Sequence, residues 1–216
     1  MFQNVIFDLD GTLLNTIADL TAAGNWVCRQ NGWPEHTEAE FCRMVGHGIP
    51  NLVKRFVPPE DHSPRVLAEA LSQFSQYYGE HDLDKTQPYP GIPELLARLK
   101  AAGLRLAVYS NKADEFSRSI VQHFFPDTFD LARGKLPDVP VKPDPEGLRR
   151  ILAELGAVPE RTLFVGDSDV DMKTARNGGL TACGVTWGFR TREELEAEYP
   201  ACLTDTPEEL ERFILK

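Results

Sequence analysis

The sequence predicts an α/β protein: a doubly wound parallel sheet whose first strand is separated from the others by an all-helical insertion. Three observations lead there. The chain opens on an apolar strand, "VIFDLDGTLL", from Val5 to Leu14; roughly 70 residues of helical periodicity follow with no strand signal; and from about residue 89 apolar strands alternate with amphipathic helices. That alternation calls for parallel strands with helices on both faces. A lone strand cannot stand by itself, so residues 1–15 join residues 89–216 in one core, and residues 16–88 form a helical cap domain.

Each element has a local reason. "IADLTAAGNWVCRQNG" places Leu20, Ala23 and Val27 at helical spacing and stops at Gly32, a residue suited to a left-handed helix end. "EAEFCRMVG" and "GIPNLVKRF" read as two shorter helices around the loop Gly46-His47-Gly48. In "SPRVLAEALSQFSQYYGEH" the residues Leu67, Leu71, Phe74 and Tyr78 mark one helix face, with Ser63 as N-cap and Pro64 at the first helical position. The rhythm changes at "PYPGIPELLARLKAAG", a helix stopped by Gly103 that leads into the strand "LRLAVYSN". A helix around Phe116–His123 and a short strand near "TFDLA" follow. Next comes the helix "KPDPEGLRRILAELG", which aligns Leu148, Ile151, Leu152 and Leu155 and closes at Gly156. "TLFVGDSDVD" reads as a buried strand ending in acids, "MKTARNGG" as a helix, "LTACGVTWG" as a strand, and "TPEELERFIL" as a terminal helix capped by Thr206.

A formal net charge of −10 argues against a nucleic-acid or anionic-membrane partner, so any phosphate must be held by local cations. The four cysteines, Cys28, Cys42, Cys183 and Cys202, have no metal-ligand spacing and read as small buried hydrophobes in a reducing cytoplasm. Asp8 interrupts the first apolar run too early for a signal peptide, and no stretch approaches the length of a membrane span. A cytoplasmic monomer or homodimer is expected.

The opening strand ends in an unusual way. Side chains alternate along a strand, so Asp8 and Asp10 face the same side while Leu9 faces the other. Two carboxylates held this close repel each other unless a cation or a proton settles between them. Ligands of open α/β sheets bind beyond the carboxyl ends of the strands. Other strand ends here carry Ser110, Asn111 and Lys112, then Lys142 in "VPVKPDP", then Asp167 and Asp171 in "VGDSDVD". Brought together, these make a cluster of acids, a hydroxyl and lysines, which suits Mg²⁺ and a phosphoryl group.

The motifs "DLDGT", "SNK", the lysine of "VKPDP" and "GDSDVD" resemble, in order and rough spacing, the haloacid-dehalogenase superfamily of phosphohydrolases. The resemblance spans nearly the whole chain. "FDLDGTLLNT" followed by a helical insertion is similar to the phosphoglycolate-phosphatase-like members, whose core is Rossmann-like. The resemblance implies that Asp8 attacks phosphorus to form an aspartyl-phosphate, and that Asp10 protonates the leaving oxygen and later deprotonates water. It implies Mg²⁺ bound by Asp8, the backbone carbonyl of Asp10 and Asp167, with Asp171 in support. Ser110 and Lys142 are expected to hold phosphoryl oxygens, and Gly11 and Thr12 to shape the turn at the phosphoryl group. Asn111 and Lys112 either touch the substrate or merely close the strand end. Many members carry an acid where this chain has Asn15, so the hinge or a substrate contact there can differ.

The expected activity is a Mg²⁺-dependent phosphatase for a small phosphorylated metabolite, with 2-phosphoglycolate as the leading substrate. A phosphomutase or pyrophosphatase on the same scaffold is the alternative enzyme, and a silent phosphate-binding protein the alternative outside enzymes. In the cap, Gly46-His47-Gly48 is expected to reach the site, with His47 or Arg43 on the non-phosphate end of the substrate.

Overall fold

A computed structural model describes residues 1–216. The chain begins with β1 (Asn4–Phe7), β2 (Leu14–Asn15), α1 (Ile17–Asn31), α2 (Glu38–Met44), α3 (Ile49–Phe56), α4 (Pro64–His81) and β3 (Gln87–Pro88). It continues with α5 (Ile92–Ala101), β4 (Arg105–Ala113), α6 (Asp114–Phe124), β5 (Leu131–Lys135), α7 (Pro145–Leu155) and β6 (Thr162–Gly166). It ends with α8 (Asp169–Asn177), β7 (Thr181–Val185), α9 (Arg192–Glu196), β8 (Cys202–Thr204) and α10 (Pro207–Ile214).

Six strands form one parallel sheet in the order β5-β4-β1-β6-β7-β8. β1 lies between β4 and β6, and its four residues are all buried, which explains why it reads as a continuous apolar run. Val5 and Phe7 face a core of 21 buried residues that includes Leu95 and Leu99 of α5, Ile120 of α6 and Leu210 of α10. Ile6 faces the opposite core, with Leu148 and Ile151 of α7 and Ala175 of α8. The strand period of two thus becomes helices on both faces. After β1 the chain builds β4 and β5 on one side, then returns to build β6, β7 and β8 on the other. The carboxyl ends of β4, β1 and β6 therefore meet where the direction of winding reverses, the usual position for a ligand.

Helices α1 to α4 own a separate core of 13 buried residues, among them Leu20, Val27, Phe41, Phe56, Phe74 and Tyr78. The capping signals act as read: Ser63 accepts from the Val66 amide, Thr206 from the Glu209 amide, and Gly32 and Gly156 close their helices in the left-handed region. Entry and exit of the helical segment are tied together. β2 and β3 pair antiparallel, and the buried Asp19 carboxylate accepts from the Lys85 and Thr86 amides and the Thr86 hydroxyl.

Four expectations need correction. The stretch read as wholly helical contains β3, which at two residues is too short to show a period. Helix α8 starts at Asp169 rather than Met172, because Ser168 and Asp171 form a reciprocal cap that turns the end of "GDSDVD" into a helix start. α9 and β8 escaped the reading, being five and three residues long, while β5 begins within "TFDLA" at Leu131 and runs on to Lys135. All four cysteines are free thiols, but Cys42 and Cys202 are only half-buried.

Candidate active site

Asp8 follows β1 directly, and its amide continues the ladder to Val165 O at 2.9 Å. The chain then turns sharply at Gly11, where φ is +87° and a Cβ would fall 2.3 Å from Asp167 Oδ2. Only glycine tolerates both the dihedral and the contact. Asp167, beyond β6, is held from two sides: the Thr12 hydroxyl donates to Oδ1 at 3.1 Å, and the Phe189 amide donates to Oδ2 at 2.8 Å. Thr12 therefore orients an acid at the turn, and its own carbonyl accepts from Trp187 Nε1.

Lys142 is 2% exposed, and its ammonium meets three oxygens: Asp171 Oδ1 at 2.7 Å, Asp8 Oδ1 at 2.8 Å and Tyr109 O at 3.1 Å. A buried lysine must be compensated in this way. Burial pushes its pKa down, but Asp171 and Asp8 outweigh that and hold the ammonium above the ordinary lysine range. Asn111 sets the loop that carries it. Its Oδ1 accepts from the Lys142 amide at 2.7 Å, and its Nδ2 donates to Lys142 O at 3.1 Å and to Gly46 O at 3.0 Å. The Asn111 amide is thus engaged by backbone on both sides, one of them in the helical segment. Asp171, fully buried, gives its second oxygen to the Ser168 amide and hydroxyl.

An open cavity of about 470 Å³ lies over these strand ends. Asp8, Asp10, Ser110, Asn111, Lys112 and Lys142 form one side, and Leu20, Val45, Gly46, Gly48, Ile49 and Leu52 of the helical segment form the other. Asp8 and Asp10 do share a face, as alternation requires, but each meets its own lysine: Lys112 Nζ lies 3.1 Å from Asp10 Oδ1 and 2.6 Å from the Tyr78 hydroxyl. The expected loop Gly46-His47-Gly48 does reach the cavity. It does so through backbone, with Gly46 and Gly48 at positive φ. The side chains of Arg43 and His47 do not line it; the His47 ring lies 3.4 Å from Arg55 Nη2, and Arg55 also caps the Arg43 and Met44 carbonyls.

Carboxylate oxygens of Asp8, Asp167 and Asp171 lie within 4.8 Å of one another. Burial first, then the negative Asp171, raises the Asp8 pKa well above the usual carboxylate range, and the same two causes push Asp167 up to about 7. Asp8 Oδ1 is buried, and its one close polar neighbour is the Lys142 ammonium at 2.8 Å. Three clustered carboxylates have this single ammonium among them, and a set with no nitrogen or sulfur donor fits a hard cation. Asp8 and Asp167 are placed to hold one: Asp167 meets only the neutral Thr12 hydroxyl and Phe189 amide, whereas Asp171 is already paired through Oδ1 with the Lys142 ammonium and through Oδ2 with Ser168.

A prediction follows on pH. An acid whose folded pKa is raised contributes stability below its unfolded value, about 4, and loses it as pH rises through the folded value, near 7 for Asp167. The metal-free protein should therefore weaken between about pH 4 and pH 7, and added Mg²⁺ should raise the melting temperature more at pH 8 than at pH 5.5. Differential scanning calorimetry with EDTA and with Mg²⁺ checks this; a Mg²⁺ gain that shrinks with rising pH contradicts it.

The chain belongs to the haloacid dehalogenase-like hydrolases, whose family profile matches residues 5–185, and it is a hydrolase of the phosphatase type. Among its relatives, a phosphoglycolate phosphatase of Thiobacillus denitrificans is 32% identical over 206 residues, covering 91% of each chain. One from Cereibacter sphaeroides is 37% identical over 191 residues, covering 86% of each. A proposed phosphoglycolate phosphatase of Lactobacillus delbrueckii subsp. bulgaricus has a crystal structure that superposes at a TM-score of 0.93, with 32% identity over 99% of this chain and 98% of that one. CbbY of Rhodobacter sphaeroides, solved in complex with phosphate, superposes at 0.75 with 26% identity, covering 97% of this chain and 96% of that one.

Three groups at the site escaped the sequence reading. In the sequence Tyr78 shows only as one of four residues on an apolar helix face. The Phe189 amide acts through backbone, which side-chain chemistry does not reveal. Arg190 donates to the Cys42 and Val45 carbonyls of the helical segment, a contact of the core with that segment that no local motif marks.

Proposed function

We propose that this protein is a Mg²⁺-dependent phosphatase of the cytoplasm that hydrolyses a small phosphorylated metabolite, 2-phosphoglycolate first, through a phosphorylated Asp8. The observation that carries this reading is Asp8 itself: a carboxylate at the central strand end, ion-paired with Lys142 at 2.8 Å and facing a cavity shared with Asp10, Ser110 and Lys142. In this reading Asp8 attacks phosphorus while Lys142 and Ser110 hold phosphoryl oxygens. Asp10 gives a proton to the departing oxygen, then takes one from the water that cleaves the acyl phosphate. Asp8, Asp167 and the Asp10 carbonyl would hold Mg²⁺, with Asp171 supporting them through Lys142. When bound, the ion offsets the charge of adjacent carboxylates and the phosphoryl group. Residues 16–88 act as a cap on the core formed by 1–15 and 89–216, shielding the reaction from water.

The substrate assignment draws on the phosphoglycolate phosphatases among the relatives. It does not draw on Arg43 or His47. A panel of phosphorylated metabolites with Mg²⁺ tests it: 2-phosphoglycolate should give the highest kcat/KM, and Asp10→Asn should lower it by roughly 10²- to 10⁴-fold. A sugar phosphate or nucleotide preferred over 2-phosphoglycolate by tenfold or more would overturn the substrate, and an unchanged Asp10→Asn rate would overturn the acid–base role.

A further inference from the structure

We propose that Lys112 and Tyr78 are a positioning pair that sets the Asp10 carboxylate for proton transfer only while α4 of the helical segment is docked on the core. This rests on the reading of Asp10 as acid and base. Lys112 is 5% exposed, so its ammonium needs partners from the protein. It has two: Asp10 Oδ1 at 3.1 Å and the Tyr78 hydroxyl, to which it donates at 2.6 Å. The ammonium also lies over the Tyr78 ring, 4.6 Å from its centroid.

The two partners belong to different parts of the fold. Asp10 follows β1 in the core. Tyr78 sits on α4, fully buried in the core of the helical segment, stacked on Phe74 at 5.6 Å. The backbone of Lys112 is fixed to the core: its amide donates to Ser110 Oγ and its carbonyl accepts from Ser117 Oγ. When α4 moves away, Lys112 therefore stays, one partner short, with its ammonium free to reorient. Asp10 then loses the fixed direction of its only hydrogen-bonding side-chain partner. With Lys112 in place, Oδ1 is engaged and Oδ2 is left to serve the leaving oxygen. A helix outside the cavity wall thus carries, in one hydroxyl, the contact that fixes the direction of the Asp10 carboxylate.

Tyr78→Phe removes that hydroxyl and leaves the ring packing in place. The test is kcat/KM, which covers steps up to phosphorylation of Asp8, across substituted phenyl phosphates from good to poor leaving groups. A good leaving group needs no proton and a poor one does. Tyr78→Phe should cost about tenfold or more on the poorest leaving group and less than about twofold on p-nitrophenyl phosphate, steepening the leaving-group dependence. Lys112→Gln should steepen it further. An equal loss across the series, or no loss at the poor end in a normally melting Tyr78→Phe protein, overturns the pair. Asp10→Asn run beside them separates the two levels. If Asp10→Asn steepens the series and Tyr78→Phe does not, the pair fails alone; if Asp10→Asn does not, the acid–base reading fails and the pair with it.

Discussion

Asp8→Asn protein is expected to fold normally and to lose steady-state phosphatase turnover by at least about 10³-fold, the scale seen when a nucleophile is removed. The first half follows from the electrostatics. Burial and the neighbouring acids Asp171 and Asp167 all disfavour the charged form of Asp8, so a neutral amide of the same shape relieves repulsion. Lys142 keeps Asp171 Oδ1 at 2.7 Å and is not left unpaired. The melting temperature without metal should stay level or rise. The second half follows from position. Asp8 alone among the carboxylates combines the end of the central strand, a place in the cavity wall and an ion pair with the buried Lys142. Steady-state assay and calorimetry of one preparation check both halves. Activity within tenfold of wild type would remove Asp8 as nucleophile.

Lys142→Met is expected to act the opposite way, harming fold and turnover together. Its ammonium sits between two buried acids, and removing one member of such a buried set costs about 3–5 kcal/mol. Methionine fills the space but leaves Asp8 and Asp171 facing each other uncompensated. Protonation of Asp8 relieves that repulsion, so the loss of stability should be smaller at pH 5 than at pH 8. Turnover should fall by roughly 10²-fold or more through loss of the cation on the phosphoryl oxygens. Denaturant melts at the two pH values test the charge argument. A midpoint matching wild type at pH 8 would mean that the acids do not depend on Lys142.

Much of this architecture is legible in the sequence because its signals are local and strong. The run Val5–Phe7 is apolar on both faces, Leu148 to Leu155 hold a helix face, and Ser63, Thr206, Gly32 and Gly156 mark helix ends by their own chemistry. The motif acids stand out because paired carboxylates at a strand end repel each other without a partner; Lys142, expected at a strand end, lies instead in the loop between β5 and α7 and stands out only by its flanking prolines and the order of the motifs. What escaped is of two kinds. Elements of two to five residues, such as β3, β8 and α9, are too short to show a period, although the Thr191–Glu194 cap of α9 was present to be read. The other kind depends on which distant segments meet. Nothing local in "SNK" says that Asn111 clamps the backbone of Lys142 and Gly46, or that Lys112 reaches Tyr78 across the two parts of the fold. Arg43 and His47 had the right charge near the right loop, but it is the backbone at Gly46 and Gly48 that lines the cavity.

Rapid acid quench of the Mg²⁺-loaded enzyme mixed with 2-phosphoglycolate, followed by mass spectrometry of its peptides, tests the nucleophile most directly. A transient phosphoryl group on the peptide that carries Asp8, absent from Asp8→Asn protein, is the expected result. A phosphoryl group on another residue, or none in a wild-type sample that releases phosphate during the same interval, would contradict it.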